Sequence, residues 1–256
     1  MLGRVTTAIA FILASCFAPS EVKASNSYVL GEYDFQVSLS ELVGEKTDFR
    51  FSEYFEQEET LNWHIYVPAD YDPTDPSGLM VFINPLKSDY MPPKWKRVFD
   101  DHNMIYISAT GAGNFVPVGR RMANSIFAVT IIQKLYVIDP NVKIISGFSG
   151  GARTSCIILE NLPGVFNGAL VMGGGLPWSE STETLKKTLG AGAYVFLTGT
   201  KDSAEQETRQ TYWQYRNAGV DNIKLISVKN LGHDFAGEKE LSEALEFLTG
   251  SLRPAD

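Results

Sequence analysis

The chain has 256 residues, of which 44% are hydrophobic and 20% charged, and its formal net charge is -8. This balance is typical of one globular domain with a substantial apolar core, and it argues against fibrous and low-complexity classes. The acidic surplus argues against nucleic acid as a partner, because proteins that bind nucleic acid need a basic surface.

The N-terminus has the pattern of a secretory signal. Arg4 precedes an apolar stretch over residues 5–18, and small or β-branched residues lead up to Ala24. This arrangement is typical of a signal cut after Ala24. We therefore predict a signal peptide over residues 1–24 and a mature domain over residues 25–256, exported to the periplasm or the extracellular space.

Two features of the N-terminus bear on whether it spans a membrane or is anchored to one. The apolar stretch is too short for a stable membrane span. Residues 13–16 read LASC, which resembles a lipobox, so a lipid anchor at Cys16 stays open as an alternative to simple cleavage. If Cys16 leaves with the signal, Cys156 is the one remaining cysteine, and we expect it to be a buried, inert thiol.

The rest of the chain has the rhythm of an α/β protein. Polar and apolar residues alternate over 33–39 and 61–67, which predicts two half-buried strands. Apolar runs predict strands over 79–83, 104–108, 142–146, 169–172, 193–197 and 223–228, and helical spacing predicts helices over 93–101, 121–136, 150–161, 204–217 and 235–248. This order predicts a mostly parallel central sheet with helices on both faces, and ligands outside the carboxyl ends of its strands.

The most informative motif is GFSGG at residues 147–151, which follows a predicted strand and opens a predicted helix. A serine in this context lies on a tight turn that lifts its hydroxyl clear of the sheet. Small residues flank it because strand and helix cross closely. The letters alone are a weak signal, but together with the strand-turn-helix context they predict Ser149 as a nucleophile.

A serine nucleophile needs a base, and the chain has three histidines. His64 lies within a predicted strand, and His102 precedes one, at the wrong end of the sheet for catalysis. His233 follows the last predicted strand, on the loop before the last helix. Chain order and strand end therefore both favour His233 as the base.

The base needs a carboxylate to orient it. Asp202 follows the predicted strand that ends near residue 197, which places it between the serine and His233 in the chain. This is the order serine, acid, histidine that such sites use. Asp221 and Asp234 lie outside that loop and are weaker candidates, so we predict a triad of Ser149, Asp202 and His233.

An acyl-transfer site also needs two N–H donors for the oxyanion that forms on the substrate. One should be the backbone N–H of Gly150, directly after the nucleophile. The other should come from the loop after residue 83. Pro85 has no N–H, so we predict the backbone N–H of Leu86, with Asn84 and Lys87 as weaker candidates.

Two further loops at the same edge of the sheet provide candidate substrate-binding residues, Asn114 and Trp178. A tryptophan beside the site could stack on an aromatic group or a sugar, although a turn with a packed tryptophan explains it equally well. The sequence has no cluster of histidine and cysteine for a metal and no phosphate-binding loop, so we expect neither a metal nor a cofactor.

From about residue 61 to residue 248 the chain resembles the α/β-hydrolase superfamily. The segment IDPNV at residues 138–142, which leads into GFSGG, and HIYVPADY at residues 64–71 are similar to secreted esterases related to polyhydroxyalkanoate depolymerases and feruloyl esterases. The resemblance implies an α/β-hydrolase fold, the triad named above and an acyl-enzyme mechanism. The chain departs from these enzymes at the oxyanion loop, where it has Asn-Pro in place of the usual His-Gly.

The predicted function is therefore hydrolysis of a carboxylic ester, either a small molecule or a polymer, at an open and shallow site. Two alternatives stay open. One is a peptidase of the same fold, and the other is a non-catalytic exported binding module on a decayed hydrolase fold.

Overall fold

In the computed structural model, residues 28–43, 53–56 and 58–253 are described. The predicted signal peptide, its cleavage point and Cys16 lie outside these residues. The described strands are β1 (Gly31–Ser38), β2 (Thr60–Val67), β3 (Ser77–Ile83), β4 (Met104–Ala109), β5 (Ile138–Phe148), β6 (Gly168–Met172), β7 (Ala193–Gly199) and β8 (Ile223–Val228). The described helices are α1 (Leu39–Val43), α2 (Trp95–Asp101), α3 (Val118–Leu135), α4 (Gly150–Asn161), α5 (Thr182–Leu189), α6 (Glu205–Asn217) and α7 (Glu238–Leu252).

The eight strands form one sheet in the order β1-β2-β4-β3-β5-β6-β7-β8. The pairs β1–β2 and β2–β4 are antiparallel, and every later pair is parallel. Every residue of β3, β6 and β7 is buried, which explains why their sequences are continuous apolar runs rather than alternating ones. The prediction of a mostly parallel central sheet is confirmed.

Helices cover both faces of the sheet, as the sequence predicts. Apolar side chains from α3, α4, α5 and α6 form one core against the first face. Side chains from α2 and α7, including Trp95, Phe99 and Leu241, form a second core against the other face. Because both faces are covered, the open edge at the carboxyl ends of the parallel strands is the natural place for a site.

The structure differs from the sequence prediction at a few element boundaries. Helix α5 has no counterpart among the predicted helices, and it begins where the Ser181 hydroxyl accepts a hydrogen bond from the N–H of Thr184. The last helix begins at Glu238 rather than at residue 235. The indole N–H of Trp95 donates to the carbonyl of Ala236 at 3.0 Å, so this carbonyl bonds to a core side chain rather than to a backbone N–H of the helix.

None of the described helices is both long enough and apolar enough to cross a membrane.

Candidate active site

Ser149 lies on the turn between β5 and α4, with φ 55° and ψ -117°. Such a conformation is strained for a residue with a side chain. The flanking glycines make the turn possible, because a Cβ on Gly147 would lie 2.4 Å from the carbonyl carbon of Gly151. A Cβ on Gly151 would lie 1.9 Å from the carbonyl oxygen of Ile83. The turn therefore requires glycine at both positions and presents the Ser149 side chain at the carboxyl edge of the sheet.

Three side chains meet at this edge in a linear hydrogen-bonded series. Nε2 of His233 lies 2.9 Å from Oγ of Ser149, and Nδ1 of His233 lies 2.7 Å from Oδ1 of Asp202. With the imidazole proton on Nδ1, His233 donates to the carboxylate and accepts from the hydroxyl. The structure thus brings together the three residues that the sequence selects as nucleophile, base and acid.

Backbone contacts hold the loops that carry His233 and Asp202 against each other. The N–H of Lys201 donates to the carbonyl of Leu231 at 2.9 Å, and the N–H of Asn230 donates to Oγ1 of Thr200 at 2.9 Å. The Asp202 carboxylate is fixed in turn, since its Oδ1 also accepts from the N–H of Ala204 at 2.8 Å. These contacts hold the loop after β8, which carries His233, against the loop after β7, which carries Asp202.

Phe148 supports the histidine from below. The centroid of the Phe148 ring lies 4.6 Å from that of the His233 ring. The Phe235 ring packs against Phe148 in turn, with 4.7 Å between their centroids. Gly173, with φ +56°, leaves the space this needs, because a Cβ there would lie 2.5 Å from the Phe148 ring and 3.1 Å from Oδ2 of Asp202. Phe148 therefore packs against the His233 imidazole and is itself packed against Phe235.

The two predicted oxyanion donors have different outcomes. The N–H of Gly150 is in the first turn of α4, where backbone donors have no acceptor within the helix, so it is available to a ligand. The N–H of Leu86 already donates to Oδ1 of Asn84 at 3.0 Å. The structure therefore does not present Leu86 as a free donor, because the side chain two residues earlier occupies that N–H.

The two predicted substrate-binding residues also differ. Asn114 lies against the nucleophile turn, because a Cβ built on Gly150 would lie 2.0 Å from its Oδ1. Trp178 is a core residue and 5% exposed, which favours the alternative of a packed tryptophan over a ring that stacks on substrate. The amide of Gln214 holds the Trp178 backbone at both its N–H and its carbonyl, and the ring packs into the core.

Sequence reasoning missed an ion pair between α4 and α6 near the triad. Arg153 donates to both carboxylate oxygens of Glu207 at 2.7 Å, and the N–H of Gly175 donates to one of them at 2.9 Å. Burial raises the pKa of Glu207, but the hydrogen bonds from Arg153 and Gly175 outweigh it, so the pKa is lowered. No sequence spacing links residues 54 positions apart.

The site has most of the groups that nucleophilic acyl transfer requires. It has a partly exposed hydroxyl hydrogen-bonded to an imidazole, a buried carboxylate behind the imidazole and an N–H donor at a helix start. Among the described residues, no group of three His, Cys, Asp or Glu side chains is arranged to hold a metal ion.

Comparison with known proteins finds likeness in structure and none in sequence families. No family model matches the chain, and no curated protein matches it significantly. A solved feruloyl esterase module from Clostridium thermocellum, a mutant complexed with sinapinate, is 11% identical with a TM-score of 0.62, over 93% of this chain and 95% of that one. A solved ferulic acid esterase is 15% identical with a TM-score of 0.63, over 88% of this chain and 100% of that one.

Peptidases share the same architecture. A putative dipeptidyl aminopeptidase IV from Bacteroides ovatus is 12% identical with a TM-score of 0.60, over 84% of this chain. This chain spans only 35% of the length of that protein. Identities this low show the fold alone, and the fold of this chain is the α/β-hydrolase fold.

Proposed function

We propose that this protein is an exported serine hydrolase that cleaves carboxylic esters through an acyl-enzyme intermediate on Ser149. The observation that carries the proposal is the hydrogen-bonded series from Ser149 through His233 to Asp202, with distances of 2.9 and 2.7 Å. These lengths lie within the range in which a base takes a proton from a nucleophile.

The mechanism follows from the positions of these groups. Oγ of Ser149 attacks the ester carbonyl carbon as its proton passes to Nε2 of His233, and the carbonyl oxygen becomes an oxyanion that accepts from the N–H of Gly150. Collapse of this intermediate expels the alcohol, which takes the proton from Nε2. Water then attacks the acyl group by the same route and releases the acid, while Asp202 stabilises each imidazolium that forms.

A peptidase of the same fold is the second candidate. The observation that favours it is the likeness to dipeptidyl peptidases, two of which have TM-scores of 0.60 and 0.56. This chain corresponds to about a third of each of them. Amides also have poorer leaving groups than esters, so we rank ester hydrolysis first.

The test is hydrolysis of p-nitrophenyl acetate and of matched p-nitroanilides by wild type, Ser149→Ala and His233→Ala. We expect ester turnover in the wild type and its loss in both variants, with His102→Gln as the histidine control that keeps activity. A fluorophosphonate probe should label the wild type at Ser149. A folded wild type that neither turns over an ester nor takes the label would favour the non-catalytic binding module. Turnover of anilides alone would favour the peptidase.

The proposal of export rests on residues 1–24 and has its own test. Mass spectrometry of the protein recovered from its native compartment should give an N-terminus at Ser25 if the signal is cut after Ala24. A lipid-modified N-terminus at Cys16 would favour the lipoprotein alternative. An intact N-terminus in the cytoplasm would contradict export.

A further inference from the structure

Exposed apolar side chains are concentrated on one side of the candidate active site. Eight large hydrophobic residues of the described chain are exposed, and four of them lie on the segments that follow β3 and β4. These four form what we call the apolar rim: Leu86, Tyr90, Phe115 and Val118. Phe115 is the extreme case, with 96% of its surface exposed. Single exposed apolar residues are ordinary, but a concentration of them beside a site is typical of a binding surface.

The two segments that carry the rim are joined to each other. The N–H of Asn114 donates to the carbonyl of Pro85 at 2.8 Å, and the N–H of Gly111 donates to the carbonyl of Lys87 at 3.1 Å. The backbones also pack closely, since a Cβ on Gly113 would lie 2.6 Å from the carbonyl oxygen of Leu86. Leu86 and Phe115 therefore belong to one surface rather than to two separate loops.

This surface adjoins the nucleophile. Asn114, the neighbour of Phe115, packs its side-chain amide against Gly150, which directly follows Ser149. The rim therefore lies on the side of the site where Asn114 meets the nucleophile turn, and a long group attached to the attacked carbonyl can extend towards it. Its link through Asn114 to the residue after Ser149 distinguishes it from other exposed apolar residues, such as Leu135 at the far end of α3.

The position of Phe115 is set by its surroundings. Phe115 lies within a turn closed by a hydrogen bond of 3.1 Å from the N–H of Val116 to the carbonyl of Gly113. The preceding carbonyl of Ala112 accepts from Nε of Arg121 at 2.9 Å, and Arg121 is buried at the start of α3. The anchored turn exposes the Phe115 ring to solvent, so the ring does not gain the stabilisation that burial would give.

We propose that the apolar rim binds the apolar group of the ester substrate, with Leu86 and Phe115 as its specificity-determining residues. This inference rests on the proposed function. It predicts that the preferred substrates carry a long aliphatic or an aromatic group next to the ester bond, because such a group gains stabilisation by covering Leu86 and Phe115. Short esters reach Ser149 without touching the rim.

The experiment compares ester length in variants of the rim. Wild type, Phe115→Ser and Leu86→Ser are assayed on p-nitrophenyl acetate and octanoate, and on methyl and octyl acetate by acid release. The p-nitrophenyl esters vary the acyl group, and the acetates vary the alcohol. In at least one of these two series, both variants should lose about tenfold in kcat/KM on the long ester and less than about twofold on the short one. Leu135→Ser is the matched control, because Leu135 lies just before the start of β5, at the end of the strands away from the site. This variant should keep the wild-type dependence of kcat/KM on ester length.

The outcomes separate the two proposals. A wild type that hydrolyses short esters, with rim variants that leave the length profile unchanged or lower all esters equally, overturns the role of the rim and leaves the proposed function standing. A folded wild type with no turnover of any ester overturns the proposed function, and this inference with it. Because both side chains are exposed, neither substitution should prevent folding.

Discussion

Asp202 and His233 are 31 residues apart in the chain, and Oδ1 of the carboxylate lies 2.7 Å from Nδ1 of the imidazole. The two side chains differ sharply in exposure, with 1% for Asp202 and 36% for His233. The carboxylate is thus shielded from water while the imidazole meets solvent and Ser149. A shielded carboxylate interacts strongly with the imidazolium that forms during acyl transfer.

This relationship predicts that Asp202→Asn removes most of the activity. An amide at this position has no charge to stabilise the imidazolium and favours the wrong imidazole tautomer. We expect kcat on p-nitrophenyl acetate to fall about 10³–10⁴-fold, with a melting temperature close to that of wild type.

The matched control is Asp234→Asn. Asp234 is the direct neighbour of His233, but its carboxylate accepts from the N–H of Phe235 at 2.7 Å rather than from the imidazole. This variant should keep activity within about threefold of wild type. Equal losses in the two variants would mean that Asp202 is not the orienting acid.

The sequence predicts well those strands, helices and turns that depend on neighbouring residues in the chain. Continuous apolar runs indicate buried strands, and α4 spans Gly150–Asn161 as predicted. The GFSGG turn is readable because the steric demand for Gly147 and Gly151 comes from the turn itself and the strand beside it. Chain order and strand end together select Asp202 and His233 from the sequence, and the structure places both side chains in the hydrogen-bonded series with Ser149.

The features that escape the sequence depend on contacts between distant residues. Nothing in the chain predicts that Gln214, 36 residues away, holds Trp178 over the core. The N–H of Leu86 was lost to an amide oxygen only two residues away, because local side chain–backbone bonds compete with every other use of a donor. Which way a loop side chain turns is decided by packing, which a pattern does not record.

The ion pair of Arg153 with Glu207 predicts a pH-dependent contribution to stability. The pKa of Glu207 is lowered in the folded protein, so its contribution is present above the unfolded pKa and is lost as pH falls through the folded value. Glu207→Gln should therefore be less stable than wild type at pH 7, by about 0.5–1 kcal/mol. The difference should shrink steadily as the pH is lowered below about 4.

Urea denaturation at several pH values measures this difference. The control is Asp101→Asn, which removes an exposed pair with Arg97 whose side chains are 82% and 61% exposed. Such a pair contributes little because water screens it, so this variant should match wild type throughout. A Glu207→Gln deficit that stays constant with pH would mean that packing, rather than charge, makes the contribution.

Cys156 is expected to be chemically silent in the folded protein. Burial raises the pKa of its thiol to about 12, and only 3% of the residue is exposed. At pH 8 the thiol is then almost entirely protonated, and the thiolate is the reactive form. In a Cys16→Ser background, a thiol reagent such as DTNB should react with the denatured protein and not with the native one. Fast reaction of the native protein would show that α4 opens readily.

The contact between Asn114 and Gly150 predicts coupled mutational effects. Gly150→Ala places a Cβ 2.0 Å from Oδ1 of Asn114. Because Oδ1 is the end of an exposed side chain, the amide can rotate away, at a cost of up to about 1 kcal/mol. Gly250→Ala, in the last turn of α7 with nothing within 4 Å of the new Cβ, is the control and should be stabilising by less than about 1 kcal/mol.

Asn114→Ala completes a double-mutant cycle with Gly150→Ala. The Asn114 side chain is exposed, so this substitution alone should change stability by less than about 0.5 kcal/mol. The double variant should recover most of the stability that Gly150→Ala loses, because the obstructing amide is gone. A coupling of about 0.5 kcal/mol or more establishes the contact; additive effects would contradict it. Since the N–H of Gly150 is the proposed oxyanion donor for every ester, a displaced turn in Gly150→Ala should lower the turnover of short and long esters alike. Removing Asn114 should relieve that defect together with the instability.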